Sequence, residues 1–180
     1  NSYWLTLHVS VITASYAFLG MGAILGLICL VLFILIKPIN RDSILSTIGE
    51  LTVINYKSLT LGLYLLTTGT FLGAIWANES WGRYWGWDPK ETWSLISIIV
   101  YSFIIHSNKI AAFRSLFAFN TMAFFGLGSI LMTYFGVNYY LSGLHSYAGG
   151  DPLPVPAMLY FAVTAFLMLA FYARFKANKL

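Results

Sequence analysis

The chain has 180 residues, of which 59% are hydrophobic and only 9% charged, and it carries a formal net charge of +4. That balance excludes a soluble globular domain, because most of the surface has to face lipid. The cations flank apolar runs, as membrane topology requires, so no nucleic-acid partner is needed to explain them.

Apolar runs of about 20 residues, enough to cross roughly 30 Å of hydrocarbon, occur at Val11 to Ile36, Ser58 to Ala77, Pro89 to Ser107, Ser115 to Val137 and Pro156 to Ala173. The expected fold is all-α: a polytopic membrane helix bundle of about five transmembrane helices, forming one domain over residues 1–180. None of the runs has the layout of a cleavable signal peptide, and the chain starts at Asn1 without a Met, so a segment of a longer polypeptide is expected. Lys and Arg near span ends stay in the cytoplasm. Lys37, Arg41 and Lys57, then Lys109 and Arg114, then Arg174, Lys176 and Lys179 fall on one side if five helices alternate. The stretch before Val11, the Trp-rich loop at 78–88 and the loop Asn138 to Val155 then face outward.

In chain order, His8 is expected just outside the first helix. Cys29 lies in the middle of that helix among Leu, Ile and Val and reads as a small buried hydrophobe. With a single cysteine there is no disulfide framework, zinc spacing or CxxCH, so the chain is not itself a c-type cytochrome. Residues 40–56 place Ile44, Ile48, Leu51 and Tyr56 among polar positions at near-helical spacing, which predicts a short amphipathic helix on the cytoplasmic surface. Gly22 with Gly26, and Gly69 with Gly73, are four apart and let helix backbones approach closely.

The stretch WGRYWGWDPKETW, residues 81–93, concentrates aromatic and charged residues as no other part of the chain does. Trp81 with Trp85, and Gly82 with Gly86, are four apart. A helical loop would turn one face into a ledge of indole and leave bare backbone beside it. An interfacial aromatic belt accounts for one or two tryptophans. The chain, however, has Trp76, Trp81, Trp85, Trp87 and Trp93 in close succession with glycines interleaved, which suits a large flat apolar ligand. Arg83 and Lys90 are the cations on the outer side. They either pair with Glu79 and Glu91 or meet an anionic tail on that ligand. A flat, apolar, carboxylate-tailed ligand describes a porphyrin.

Asp88, Pro89 and Glu91 fit N-cap, N1 and N3, so the third helix is expected to start at Asp88, with capping as its bland role. His106 closes that helix, about 27 Å away at 1.5 Å per residue. It either balances the helix dipole beside Lys109 or serves as a haem ligand facing the bundle. His145, in SGLHSYAGG, shares the outer side with His8, and two neutral imidazoles can ligate one iron from opposite faces. A surface role remains the alternative for both.

The run WANESWGRYWGWDPKETWSLI resembles the Trp-rich "WWD" signature of the haem-handling proteins of cytochrome c maturation. With LTTGTFLGAIWA, IIHSNK and FGVNYYLSGLHSY in order, the resemblance covers nearly the whole chain. It is nearest to the CcsA type, the membrane component of the system II cytochrome c synthase. The resemblance implies a haem-lyase-type synthase that delivers haem b across the membrane and presents it outside for thioether attachment to the CxxCH of an apocytochrome c. His8 and His145 would be the external axial ligands and His106 the ligand within the membrane. Trp81, Trp85, Trp87 and Asp88 would form the WWD platform, with Arg83, Tyr84 and Lys90 beside it.

Implied partners are a CcsB-type membrane protein or fused domain, the apocytochrome, thiol-reducing proteins and membrane lipid. The implied location is a bacterial inner membrane or a thylakoid membrane, with the WWD loop on the periplasmic or luminal side. Family members usually have more helices than five and draw another membrane histidine from the CcsB part, whereas this chain offers only His106. Substrate thiols and haem vinyls supply the reacting groups, so the protein's work is positioning. Two other classes fit less well: a haem transporter or chaperone without ligation chemistry, and a b-type cytochrome that passes electrons.

Overall fold

The computed structural model describes residues 3–141 and 154–178, and among these it contains helices and no strand. Its elements are α1 (Tyr3–Leu35), α2 (Arg41–Trp81), α3 (Pro89–His106), α4 (Leu116–Leu131), α5 (Val137–Tyr140) and α6 (Ala157–Ala177). A 3-10 turn at Pro38–Asn40 joins α1 to α2, and a π-helical turn at Met132–Gly136 carries α4 into α5. Among the described residues, four segments are long and apolar enough to cross a membrane: Tyr3–Leu35, Pro38–Trp81, Leu116–Tyr140 and Ala157–Ala177. The remaining expected span is α3, whose 18 residues begin with Lys90 and Glu91 in the first turn and pack against α2 and α4.

Two boundaries differ from the sequence reading. Helix α1 starts at Tyr3, so His8 lies inside it, in its second turn, and not just outside the first helix. The amphipathic segment over residues 40–56 is not a separate short helix. It is the beginning of α2, an unbroken helix of 41 residues, about 61 Å long at 1.5 Å per residue. No proline interrupts it. Ile48 is fully buried on its inward face, followed by Asn55, while Tyr56 stays on the exposed side.

Helices α1 and α2 run antiparallel in contact along most of their length. Glycine sets the spacing: a Cβ on Gly62 would lie 2.6 Å from a Leu19 methyl, and one on Gly69 would lie 2.7 Å from Ile12 Cδ1. Helix α4 crosses α1 at Gly26, where a Cβ would come within 2.6 Å of the Asn120 carbonyl oxygen. With lipid outside, such close van der Waals packing and interhelical hydrogen bonds replace the hydrophobic driving force between helices.

Those hydrogen bonds are present. Asn55 Nδ2 donates to Asn120 Oδ1 at 3.1 Å, and Asn120 Nδ2 donates to Thr52 Oγ1 at 2.7 Å. Ser58 Oγ donates to the Phe18 carbonyl at 2.7 Å. Each is worth roughly 0.6 kcal/mol in a bilayer, so they specify register more than they add stability.

Two apolar clusters complete the core. Leu19, Leu59, Leu66, Tyr101, Ala123 and Ile130 join α1, α2, α3 and α4. Cys29, Leu30, Phe33, Ile36 and Ile48 meet Ala170 and Ala173 where α6 crosses the far ends of α1 and α2. Cys29 is fully buried there, packed as an apolar residue. The alternation of helices leaves His8 and the Trp-rich loop at one end of the bundle, and Lys37, Arg41, Lys109, Arg114, Arg174 and Lys176 at the other.

Gly20 and Gly26 share α1, but a Cβ on Gly20 meets nothing within 4 Å. Alanine favours a helix over glycine by up to about 1 kcal/mol, while forcing apart well-packed backbones costs about 1–3 kcal/mol. Gly20→Ala should therefore hold or raise the thermal midpoint in detergent, and Gly26→Ala should lower it.

Candidate functional site

Helix α2 ends at Trp81 because Gly82 takes the left-handed conformation, φ 71°, and returns its N–H to the Asn78 carbonyl at 2.9 Å. Residues 82–88 are then non-helical, and the single indole ledge expected from Trp81 and Trp85 does not form. The indoles instead make two edge-to-face pairs. Trp76 meets Trp81 with ring centroids 4.8 Å apart, and Trp85 meets Trp87 at 5.8 Å. Trp87 has φ 56°, a left-handed conformation that costs a non-glycine residue on the order of 1–3 kcal/mol. Its ring is largely solvent-facing, 71% exposed.

The loop is held in this shape by the start of α3. Asp88 caps the helix, its Oδ2 accepting from the Lys90 amide at 3.2 Å, with Pro89 at N1 and Glu91 completing the capping box as the sequence predicts. Glu91 Oε2 also accepts from the amides of Gly86 at 2.8 Å and Asp88 at 3.2 Å. One carboxylate thus ties both ends of the turn that contains Trp87. Gly86 lies against the Arg83 guanidinium, where a Cβ would sit 2.8 Å from Cζ. Asp88 is buried, where it caps α3 and shapes the loop.

His8 enters this end of the bundle from α1. Its Nδ1 lies 2.7 Å from the Gly69 carbonyl oxygen of α2. A carbonyl only accepts, so Nδ1 carries the proton, and in the neutral ring Nε2 presents its lone pair, as a metal-ligating histidine requires. The ring lies against α2 because Gly73 has no side chain: a Cβ there would fall 2.6 Å from His8 Cε1. Gly69 and Gly73 therefore do more than pack helices. They seat and orient an imidazole, a role hidden in sequence because His8 and Gly69 are 61 positions apart.

Two cavities open beside that ring. The larger, about 760 Å³, brings His8 together with Trp76, Trp81, Lys90 and Tyr134. The smaller, about 100 Å³, is shared by His8, Tyr84, Trp85, Lys90 and Glu91. Lys90 reaches both, and its Nζ donates to Asn138 Oδ1 at 2.9 Å, which links α3 to α5. Of the residues singled out in sequence, His8, Trp81, Tyr84, Trp85 and Lys90 converge. Trp87 and Arg83 sit on the exposed rim, and Asp88 lies beneath them. Tyr134 and Tyr16, ring centroids 6.5 Å apart, line the cavity without having been signalled by any motif.

His106 stands at the opposite end of α3. Its side chain is exposed, with Nδ1 2.8 Å from the Ser102 carbonyl oxygen of its own helix. His145 lies outside the described residues.

Comparison with known proteins places this geometry in a family context. Residues 1–145 match the family described as cytochrome C assembly protein. The chain is 60% identical over 154 residues to Protein NrfI of Wolinella succinogenes, covering 86% of this chain and 17% of that protein. It is 36% identical over 173 residues to cytochrome c biogenesis protein CcsA of Prochlorococcus marinus, covering 82% of this chain and 54% of the relative. It is also 38% identical over 149 residues to CcsA of Chlamydomonas reinhardtii, covering 82% and 41%. The chain thus spans about half the length of these CcsA proteins and about a sixth of NrfI.

The loop geometry has a direct test. Hydrogen bonds to a charged group contribute about 1.5–3 kcal/mol, so Glu91→Ala should speed amide exchange at Gly86 and Asp88 by about tenfold or more. Exchange in the middle of α2 should not change.

Proposed function

The chain belongs to the cytochrome c assembly protein family, and from that premise we propose that its Trp-rich end holds haem b for attachment to an apocytochrome c. The observation that carries this reading is the His8 seat. An imidazole with its tautomer fixed by Gly69 faces a cavity of about 760 Å³ walled by an indole pair and reached by a lysine. The apolar walls suit a porphyrin plane, Lys90 and Arg83 suit its propionates, and His8 Nε2 suits its iron. His145 is the proposed ligand on the other axial face.

In this reading Lys and Arg mark the cytoplasmic end of the bundle, and the Trp-rich loop faces the periplasm or lumen. Haem enters past His106, with a CcsB-type partner or domain supplying a companion ligand, and finishes between His8 and His145. Each thiol of the substrate's CxxCH then adds across one haem vinyl. The sulfur bonds to the carbon next to the ring, the proton goes to the terminal carbon, and the vinyl π bond is consumed with no net electron transfer. Thiol-reducing proteins would keep the CxxCH available for this addition.

The chain's own groups need not supply an acid, base or nucleophile; they orient two large reactants. His8 holds the iron, Trp76 and Trp81 bound the ring, Trp85 lines the smaller cavity beside it, and the loop fixed by Glu91 keeps the platform rigid. The substrate's CxxCH histidine must finally displace one of the two axial ligands, so one edge of the site has to stay open. Trp87 and Arg83 lie on such an exposed rim.

The test uses the whole protein coexpressed with a CxxCH apocytochrome, reading covalent product by haem stain and bound haem by absorption. His8→Gly should leave haem bound but open at one axial position, with an altered spectrum, and external imidazole should restore the normal one. An unchanged bis-histidine spectrum in His8→Gly would remove His8 from the iron.

Trp81→Ala and Trp85→Ala should weaken haem retention more than Trp4→Ala, which alters only the N-terminal turn of α1. Equal effects at all three would reduce the tryptophans to an interfacial belt.

A further inference from the structure

At the end of the bundle away from the tryptophans, a second cleft of about 370 Å³ opens between α2 and the segment joining α3 to α4. We propose that it is a binding site for the headgroup and upper acyl chain of an anionic phospholipid. This holds whichever compartment that end faces, so it does not depend on the haem reading.

Three observations carry it. First, Lys57 and Arg114 both line the cleft, and among the described residues no acidic one does. The Arg114 guanidinium is steadied by Nε donating to the Asn108 carbonyl at 3.1 Å, which leaves its terminal N–H groups for a phosphate. Second, Ser107 also lines the cleft. Its residue is only 1% exposed, and its hydroxyl is buried without a hydrogen-bond partner among the described residues. A buried hydroxyl with no partner is costly, and a small rotation of Ser107 at the cleft wall would let it pair with a phosphate or ester oxygen bound there.

Third, Val53, Tyr56, Phe113, Leu116 and Phe119 give the cleft an apolar and aromatic side. Val53, Tyr56 and Leu116 are 56%, 42% and 41% exposed, whereas Phe119, tilted against Tyr56 at 6.1 Å, is nearly buried. Apolar surface beside a cation pair is the arrangement an amphipathic anion matches.

Height in the membrane selects the occupant. The apolar part of α2 begins at Ser58, immediately after Lys57, and α4 begins at Leu116, immediately after Arg114 and Ser115. Both cations therefore stand at a hydrocarbon boundary, where lipid phosphates lie and where basic side chains attract anionic lipid. Tyr56 sits at that level too, as tyrosine does at membrane interfaces. Among the described residues, no histidine, cysteine or methionine lines the cleft. The lining thus lacks the usual soft or imidazole ligands of a haem iron, and a metal-free anion is the better match.

Native mass spectrometry of the whole protein in detergent, titrated with phosphatidylglycerol or phosphatidylcholine, tests the proposal. The wild-type protein should retain one more phosphatidylglycerol than the Lys57→Gln/Arg114→Gln variant, with retention falling about tenfold or more in the variant. Phosphatidylcholine should bind both alike. Val53→Trp keeps the cations but fills the cleft from an exposed position, and it should also lose the extra lipid. Equal phosphatidylglycerol retention in wild type and both variants would overturn the proposal. So would variants that keep the lipid but lose bound haem, which would make the cleft a porphyrin entry point.

Discussion

Close backbone contact between α1 and α2 is the constraint on which the rest of the molecule depends. At Gly62 and Gly69 the facing side chains of Leu19 and Ile12 occupy the space a Cβ would need, so the helices cannot separate without leaving voids. The same approach, continued by one turn, puts the ring of His8 on bare backbone at Gly73 and its Nδ1 on the Gly69 carbonyl. Packing and site geometry are thus one arrangement read at different heights. The polar contacts of Ser58 with Phe18, and of Asn55 with Asn120, hold that arrangement in register.

The second determinant is local. Gly82 turns the chain out of α2, Asp88 starts α3, and Glu91 reaches back to the amides of Gly86 and Asp88. A tryptophan in left-handed conformation between these anchors is tolerable because both flanks over-determine it. Such a loop resists rearrangement, because its two ends are tied to the same carboxylate.

Much of this was legible from residue pattern, and the failures have physical causes. Apolar length located the helices, and Asp88, Pro89 and Glu91 located the start of α3, because capping is decided by a few adjacent residues. Hydropathy placed His8 outside α1, since it measures contact with lipid, and α1 continues beyond its most apolar stretch by pairing with α2. The same bias separated residues 40–56 from the second span, although no proline or cap ends the helix there. The four-residue spacing of Trp81 and Trp85 suggested one aromatic face, but Gly82 reverses the chain between them and divides the indoles into two pairs. The imidazole seat was invisible for a simpler reason: a glycine's function depends on what lies opposite, and here the opposite residue is on another helix.

The continuity of α2 has a mechanical consequence. Lys57 and Gly73 lie on one uninterrupted helix, about 24 Å apart at 1.5 Å per residue. No hinge of the proline or π-bulge kind lies between them to absorb a rotation. The helix therefore acts as a stiff lever: any tilt that widens or narrows the cleft near Lys57 also moves the backbone on which His8 rests. Bilayer thickness and headgroup composition at one face are then mechanical inputs to the geometry of the opposite face, with no ligand needing to travel between the two.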